Sequence, residues 1–423
     1  MNRRDFLKSS TLTTLAMAGL SSEPVTLLAQ EANAAAGDAP SGPPIGCGVI
    51  GLGERGREVV NTLNHLATLP PVAICDIYEP FLKRTQEAAP KAAAYSDYRQ
   101  LLEDKNVQAV VVATPTHQHK QIVLDALQAG KHVYCEAPIA NTLDDAKAIA
   151  QAGQGAAPKL IFQAGLQQRV HPQSLHVYKF IRSNALGTIA ACRSQWHQKT
   201  SWRRAAPDPQ RQQEINWRLD KSISPGLMGE IGIHGINLTS WYVGGLPIAA
   251  TGRGGVLFWK DGREVPDTVQ AIIEYPGGVN LVYDITLVNS FDDSYNLFMG
   301  SQSAILVRGD KAWMVNEADA PLEGWIVYAR KEPVGDDVGV VLVADATKLL
   351  ALGQMPSQAK QEDPTKTMLY HALEAFVNSI HAGKPSEAGP LEGYQATVAA
   401  LKTNEAIVNG SRLEFKQEWF QLS

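Results

Sequence analysis

Cysteine is scarce in this chain: there are four among 423 residues, and no two are spaced as Cys-x-x-Cys. Nothing therefore supports a thiolate zinc site or a dithiol redox motif, and no metal site is expected. Positive charge is not in excess either. A net charge of -5 gives no reason to expect a nucleic-acid partner. The mature chain has no apolar run long enough for an integral membrane span. It also has no internal repeat, which excludes solenoids and propellers. What remains, at 44% hydrophobic and 19% charged residues, is an ordinary globular composition, long enough for two domains. Cys47, Cys75 and Cys135 fall in or beside expected buried parallel strands, and Cys192 falls in a later strand. All four are expected to be buried thiols acting as small hydrophobes.

The N-terminus reads as an address. Arg3-Arg4-Asp5-Phe6-Leu7-Lys8 precedes a mild apolar stretch from Leu12 to Leu20, and Ala32-Asn33-Ala34 offers a small-x-small cleavage site. Residues 1–34 are expected to be a twin-arginine export signal and residues 35–44 a linker, which places the mature protein in the periplasm or outside the cell.

Ile45-Gly46-Cys47-Gly48-Val49-Ile50-Gly51-Leu52-Gly53-Glu54-Arg55-Gly56 carries the strongest signal. A buried strand runs into G-x-G-x-x-G and opens a helix. Gly51 allows the tight turn, Gly53 lets a pyrophosphate approach the backbone, and Gly56 lets the helix pack on the strand. Glu54 and Arg55 stand at the helix start, where free N–H groups and the helix dipole favour phosphate. Pro71 to Asp76 reads as the next strand, and Asp76 lies 20 residues beyond Gly56, where an acid holds the adenosine ribose hydroxyls. A carboxylate there repels a 2′-phosphate, so NAD is favoured over NADP.

Strands and helices alternate from residue 45 to about 165. Val107–Pro115, Lys131–Glu136 and Leu160–Gly165 read as strands, and His119–Ala129 and Asp144–Ala152 as helices. The fold class is α/β: an N-terminal Rossmann doubly wound parallel sheet over 45–165, then a C-terminal α/β domain over 166–423 with an open, predominantly antiparallel sheet. In that second part, Ile189–Trp196, Val269–Tyr275 and Val279–Asp284 read as antiparallel strands, with Pro276-Gly277-Gly278 as a hairpin turn. A second hairpin joins Ala304–Arg308 to Ala312–Val315. Helices are expected at Thr367–Ala382 and Glu392–Val408, and residues 331–362 read as a mobile surface excursion.

Beyond these elements the chain resembles the Gfo/Idh/MocA oxidoreductases. The resemblance covers essentially the whole mature chain. It rests on the Gly51–Gly56 loop with Asp76, on Ala113-Thr114-Pro115-Thr116-His117-Gln118-His119, and on Gly130-Lys131-His132-Val133 leading to Glu136-Ala137-Pro138. It continues through Gly226-Leu227-Met228-Gly229-Glu230-Ile231-Gly232-Ile233-His234 to the Gly383-Lys384-Pro385 turn. It implies that Glu136 contacts the nicotinamide ribose and that a sugar or polyol binds between sheet and nicotinamide; Thr114, Pro115 and His117, at a parallel strand's carboxyl end, are further cofactor candidates, and Gln168 and Arg169 read either as cofactor or substrate contacts or as hinge structure between the domains. It also implies a homo-oligomer paired through the open sheet. The family reads Glu-Lys-Pro where this chain has Ala137, and that lysine contacts the reacting hydroxyl. Ala137 has no donor, so another residue takes the role or the chemistry is altered.

His234 is the candidate general acid/base, because an ordinary imidazole pKa near 6.5 suits proton transfer at neutral pH. Glu230, four residues earlier on the same helix face, would orient substrate hydroxyls. His117, after Pro115 at a parallel strand's carboxyl end, is a candidate substitute for the missing lysine. His119 reads as structural. Trp196, His197, Trp202, Arg203, Trp217 and Arg218 form a cluster suited to a carbohydrate or to a subunit interface. Three functions fit: an NAD-dependent oxidoreductase on CH–OH groups, a redox-neutral glycosidase or epimerase working through a keto sugar, or a cofactor-bound sugar-binding protein without turnover. Because free periplasmic NAD is scarce, the cofactor is expected to stay bound between turnovers.

Overall fold

A computed structural model describes residues 42–321, 326, 329–343 and 363–422. The expected export signal and most of the linker lie outside the described residues. β1 (Cys47–Ile50), β2 (Pro71–Cys75), β3 (Ala93–Tyr95), β4 (Ala109–Val112), β5 (His132–Cys135) and β6 (Phe162–Ala164) form one parallel sheet in the order β3-β2-β1-β4-β5-β6. β1 and β4 are buried along their whole length, as near-continuous apolar runs with helices on both faces require. The chain reverses its winding between β1 and β4, and ligands of open α/β sheets bind at the carboxyl ends of the strands at such a switch. The Gly51–Gly56 turn and the Thr114–His117 segment both stand there.

Ten further strands form the second sheet, in the order β14-β15-β13-β12-β11-β7-β10-β9-β8-β16. They are β7 (Ile189–His197), β8 (Ala249–Gly255), β9 (Thr268–Glu274), β10 (Asn280–Thr286), β11 (Ser294–Gly300), β12 (Ser303–Arg308), β13 (Lys311–Asn316), β14 (Lys331–Val334), β15 (Asp337–Leu342) and β16 (Leu413–Glu414). Pairing is antiparallel with one exception: β7 and β10 run parallel, against the sequence expectation. A parallel neighbour needs a long crossover. The stretch between His197 and β8, with its helices, provides one. Residues 331–342 also depart from the expected excursion: they form the β14–β15 hairpin at the sheet edge. The remainder of that segment, 344–362, lies outside the described residues.

One face of this sheet is covered. Cys192, Phe298, Leu281, Tyr283 and Ile285 point inward and are buried, against the helix Ile233–Val243. A Cβ on Gly235 of that helix would meet the Tyr283 ring at 2.8 Å. The 20-residue helix Pro390–Asn409 packs on β8 and also on the Rossmann helix Leu143–Ala156, so one buried element ties both sheets together. Gln163 of β6 reinforces the tie, donating to Ala372 O (2.8 Å) and accepting from Ser386 Oγ (2.7 Å). All four cysteines are buried and free, and burial pushes the Cys47, Cys75 and Cys192 thiols up to about 12. Among the described residues no helix is long and apolar enough to cross a membrane.

Candidate functional site

The glycine turn is fixed by sterics. Gly51 has φ +89°, and a Cβ there would stand 2.8 Å from the Ala113 carbonyl and the Thr114 nitrogen. At Gly56 a Cβ would lie 1.8 Å from Gly51 O. Both positions are closed to any side chain by the protein itself. Gly53 is different: a Cβ there meets nothing within 4 Å. The protein leaves that space open, directly before the helix Glu54–Leu63, as a cradle for a pyrophosphate must. Asp76 closes the other side. Its carboxylate accepts from Leu52 N (2.7 Å) and Tyr78 N (2.8 Å), and burial raises its pKa despite those bonds. Each oxygen keeps a lone pair for a ribose hydroxyl.

Toward the other end, buried polar atoms are left without partners: Thr114 Oγ1, His117 Nδ1 and Gln168 Oε1. An unmade buried bond costs about 1–3 kcal/mol. Thr114 and His117 follow the carboxyl end of β4, where open α/β sheets bind ligands, so a polar ligand such as an NAD cofactor bound there would complete these bonds. Arg55 leans from the glycine-loop helix, donating Nε to Glu136 (2.9 Å) and Nη1 to Glu58 (2.7 Å). Its positive charge also reaches His234. Cofactor loop, Glu136 and His234 are thereby drawn into one place.

Glu230 lies in a π-helical turn, Met228–Gly232, that leads into the helix carrying His234. Such turns recur at functional sites. Its side chain is only 6% exposed, and both oxygens are engaged: Oε1 accepts from Thr116 Oγ1 (2.8 Å) and Oε2 from Arg218 Nε (2.7 Å). Glu230 is therefore a clamp between the two halves of the chain, and each of its oxygens keeps a lone pair for a further donor. The Arg218 guanidinium lies 4.6 Å from the Trp217 ring and 5.7 Å from the Trp202 ring. His117 meets Trp217 edge-on at 5.8 Å. Burial lowers the His117 pKa, while Glu230 and Asp220 oppose that shift.

His234 departs from expectation. Its pKa is pushed down to about 4, first by desolvation and then by Arg55. Its imidazole is therefore held toward the neutral form. Two members of the expected sugar cluster are placed elsewhere. Strand alternation puts His197 on the sheet face opposite the helices, where Nε2 bonds Asp284 and Nδ1 bonds Phe291 O (3.0 Å). Arg203 turns to Asp261, 3.8 Å away. Trp196 lies on the inner face, packed at the core margin. His119 is structural as expected, buried with Nε2 on Thr114 O (2.9 Å). Arg169 acts as hinge structure, bonding Asn237 Oδ1 (3.1 Å) and lying 5.5 Å from the Trp241 ring. Thr116 was not singled out from sequence as a site residue. A hydroxyl beside Pro115 at a strand end was its only signal.

Comparison with known proteins agrees with this geometry. Residues 45–161 match the family model described as "Oxidoreductase family, NAD-binding Rossmann fold", and residues 174–315 match the GFO/IDH/MocA C-terminal domain. Residues 45–161 thus form an NAD-binding domain. A levoglucosan dehydrogenase of Pseudarthrobacter phenanthrenivorans is 31% identical over 177 residues, which cover 39% of this chain and 43% of that protein. A 2,7-anhydro-N-acetylneuraminate hydratase of Mediterraneibacter gnavus is 21% identical over 88% of this chain and 87% of its own. An inositol 2-dehydrogenase of Salmonella typhimurium is 30% identical over 33% of this chain and 42% of its own. Among solved structures, a levoglucosan dehydrogenase in complex with NADH and levoglucosan superposes with TM-score 0.71 at 20% identity, over 88% of this chain and all of that one, and so shares the fold.

Proposed function

This chain belongs to the Gfo/Idh/MocA oxidoreductase family, and on that premise we propose that it acts with NAD on a CH–OH group of a sugar, polyol or glycoside. The observation that carries this reading is a chain of contacts from the carboxyl end of the parallel sheet to the second half of the chain: Thr116 bonds Glu230, Glu230 bonds Arg218, and Trp217 lies against both Arg218 and His117, whose Nδ1 is buried without a partner. Relatives named as dehydrogenases of levoglucosan and inositol support the substrate class.

Bound NAD would supply a two-electron acceptor for hydrogen from the carbon bearing the hydroxyl. The chain's own residues supply the rest. His234, neutral at pH 7, takes the hydroxyl proton at a ring nitrogen. Arg218, stacked between two indoles and held by Glu230, presents its remaining donors to substrate hydroxyls. His117, with a buried free Nδ1, stands in for the proton-relay group that Ala137 lacks. Arg55 keeps Glu136 in place. The same reading places the mature protein in the periplasm as a homo-oligomer.

A second reading is redox-neutral cleavage or epimerisation through a keto sugar. Ala137 favours it, and so does the hydratase relative, whose alignment spans 88% of this chain. One experiment separates the two. The mature protein is given nitrophenyl glycosides and free sugars, with and without NAD, and nitrophenol release, NADH absorbance and keto product are followed together. A keto product, with NADH accumulating or reoxidised by a second sugar, is expected for the oxidoreductase, and nitrophenol release without NADH or net keto product for the redox-neutral enzyme. A protein that binds NAD and turns over neither class overturns both.

A further inference from the structure

The segment after β7 does not stay with its own sheet. Arg204 pairs through Nη2 with Glu54, at the start of the glycine-loop helix. Asn216 fixes the base of this excursion: Oδ1 accepts from Arg204 N (2.7 Å), and Nδ2 donates to Arg204 O (2.9 Å) and Gln212 O (2.8 Å). Between them the short helix Pro209–Ile215, capped by the Asp208 side chain, carries Arg211 to the far side of the Rossmann crevice. There the Arg211 guanidinium lies 4.2 Å from the Tyr78 ring and 5.6 Å from the Phe81 ring, and its charge acts on Asp76. Nη1 bonds Glu214 (2.8 Å), while Nε is buried and has no partner.

These contacts have no role in the reaction described above. They put a planar cation, with one unpaired buried donor, beside the carboxylate expected to hold the adenosine ribose. A guanidinium suits that position, since it stacks on flat π faces and donates in its own plane. Arg204 meanwhile neutralises Glu54, an acid that would otherwise repel a pyrophosphate at Gly53.

We propose that residues 204–216, though they belong to the sugar-side half of the chain, complete the cofactor site: Arg211 closes over the adenosine end and the segment holds NAD so that it leaves slowly. The proposal rests on the reading of residues 45–161 as an NAD site. It implies that NAD release requires the segment to lift, whereas substrate enters at the opposite end of the crevice.

The test uses the whole mature chain. Binding of NAD, ADP-ribose and nicotinamide mononucleotide is measured by calorimetry, and release of bound NADH is followed by fluorescence after addition of excess NAD. In Arg211→Ala, NAD and ADP-ribose should bind at least tenfold more weakly and NADH should leave at least tenfold faster, with mononucleotide affinity unchanged. Arg211→Lys keeps the charge but not the plane, and should fall between wild type and Arg211→Ala. Affinities and release rates within twofold of wild type in both variants, at unchanged Tm, would overturn the proposal. So would an equal loss of mononucleotide and ADP-ribose binding, since the effect would then not be adenosine-specific. A wild-type protein that binds no NAD at all overturns the functional reading itself, and this proposal with it.

Discussion

The glycine turn with Asp76 and the charged cluster around Glu230 are built by opposite means. The cradle is made of backbone, and its parts lie within 26 residues, from Gly51 to Asp76. What matters there is where side chains are missing. The cluster is made of side chains, and its central bond joins Thr116 to Glu230, 114 residues apart. What matters there is how charges are paired. A cradle of this kind can be written into a short motif, because φ and the absence of a Cβ are local properties. A charge clamp cannot, because each partner is meaningless until the fold delivers the other.

The comparison can be broken most sharply at His234. Replacing His234 with Ala should cut turnover by about 10²–10⁴-fold, as loss of a general base does, with NAD still bound. Full activity would remove it as the proton acceptor. The cradle offers the next largest effect. Gly56→Ala collides with the Gly51 carbonyl and should abolish NAD binding and lower Tm, whereas Gly53→Ala meets nothing in the free protein. Gly53→Ala should therefore unfold at the wild-type temperature yet bind NAD about tenfold or more weakly, because its methyl takes the space of the pyrophosphate. Equal damage to stability in both variants would show that Gly53 serves packing.

Glu230→Gln tests the clamp. The amide keeps a bond to Thr116 but loses the ion pair with Arg218. Turnover should fall about tenfold, the scale of one charge-assisted bond, with NAD affinity unchanged. A parallel loss of NAD affinity would mean that the two regions are not separable.

The effect that leaves both regions untouched is on stability against pH. His171 is 5% exposed with Nδ1 unpartnered, 5.3 Å from the His371 ring. Burial, and then His371, push its pKa down to about 4. The unfolded histidine titrates near 6.5. As pH falls, the unfolded state takes the proton first, so the contribution is whole above about 6.5 and is lost on the way to 4. Between pH 7.5 and 5 His171 should account for about 2 kcal/mol of the loss, and His234, lowered likewise, for a similar part. The difference between the urea midpoints of wild type and His171→Gln at the two pH values would measure the His171 part, with the variant showing the flatter slope. An unchanged slope would place the titration elsewhere.

Much of the fold was legible, for reasons visible in single elements. β1 and β4 were readable because a parallel strand covered on both faces is a continuous apolar run. The β9–β10 hairpin was readable because Pro276-Gly277-Gly278 punctuates two alternating strands. β3 was not, since its three residues, Ala93–Tyr95, are partly exposed and carry no pattern. The direction of β7 was misread because its alternation is the same whether its neighbour runs parallel or antiparallel. That Trp196 and His197 would part was not legible, because a shared sequence neighbourhood does not fix a shared face: the two are adjacent and point to opposite sides of the sheet.

By itself the sequence determined the glycine turn, the acid at the end of β2, the alternation of strands and helices over residues 45–165 and the burial of the four cysteines. All of these follow from local sterics and local hydrophobic period. Only the tertiary structure decided that Glu230 is a clamp, that Arg55 ties Glu136 to the glycine loop, that Arg211 crosses to Asp76, and that burial lowers the pKa of His234. Ion pairs, stacking and desolvation are properties of what surrounds a residue, and those surroundings come from distant parts of the chain.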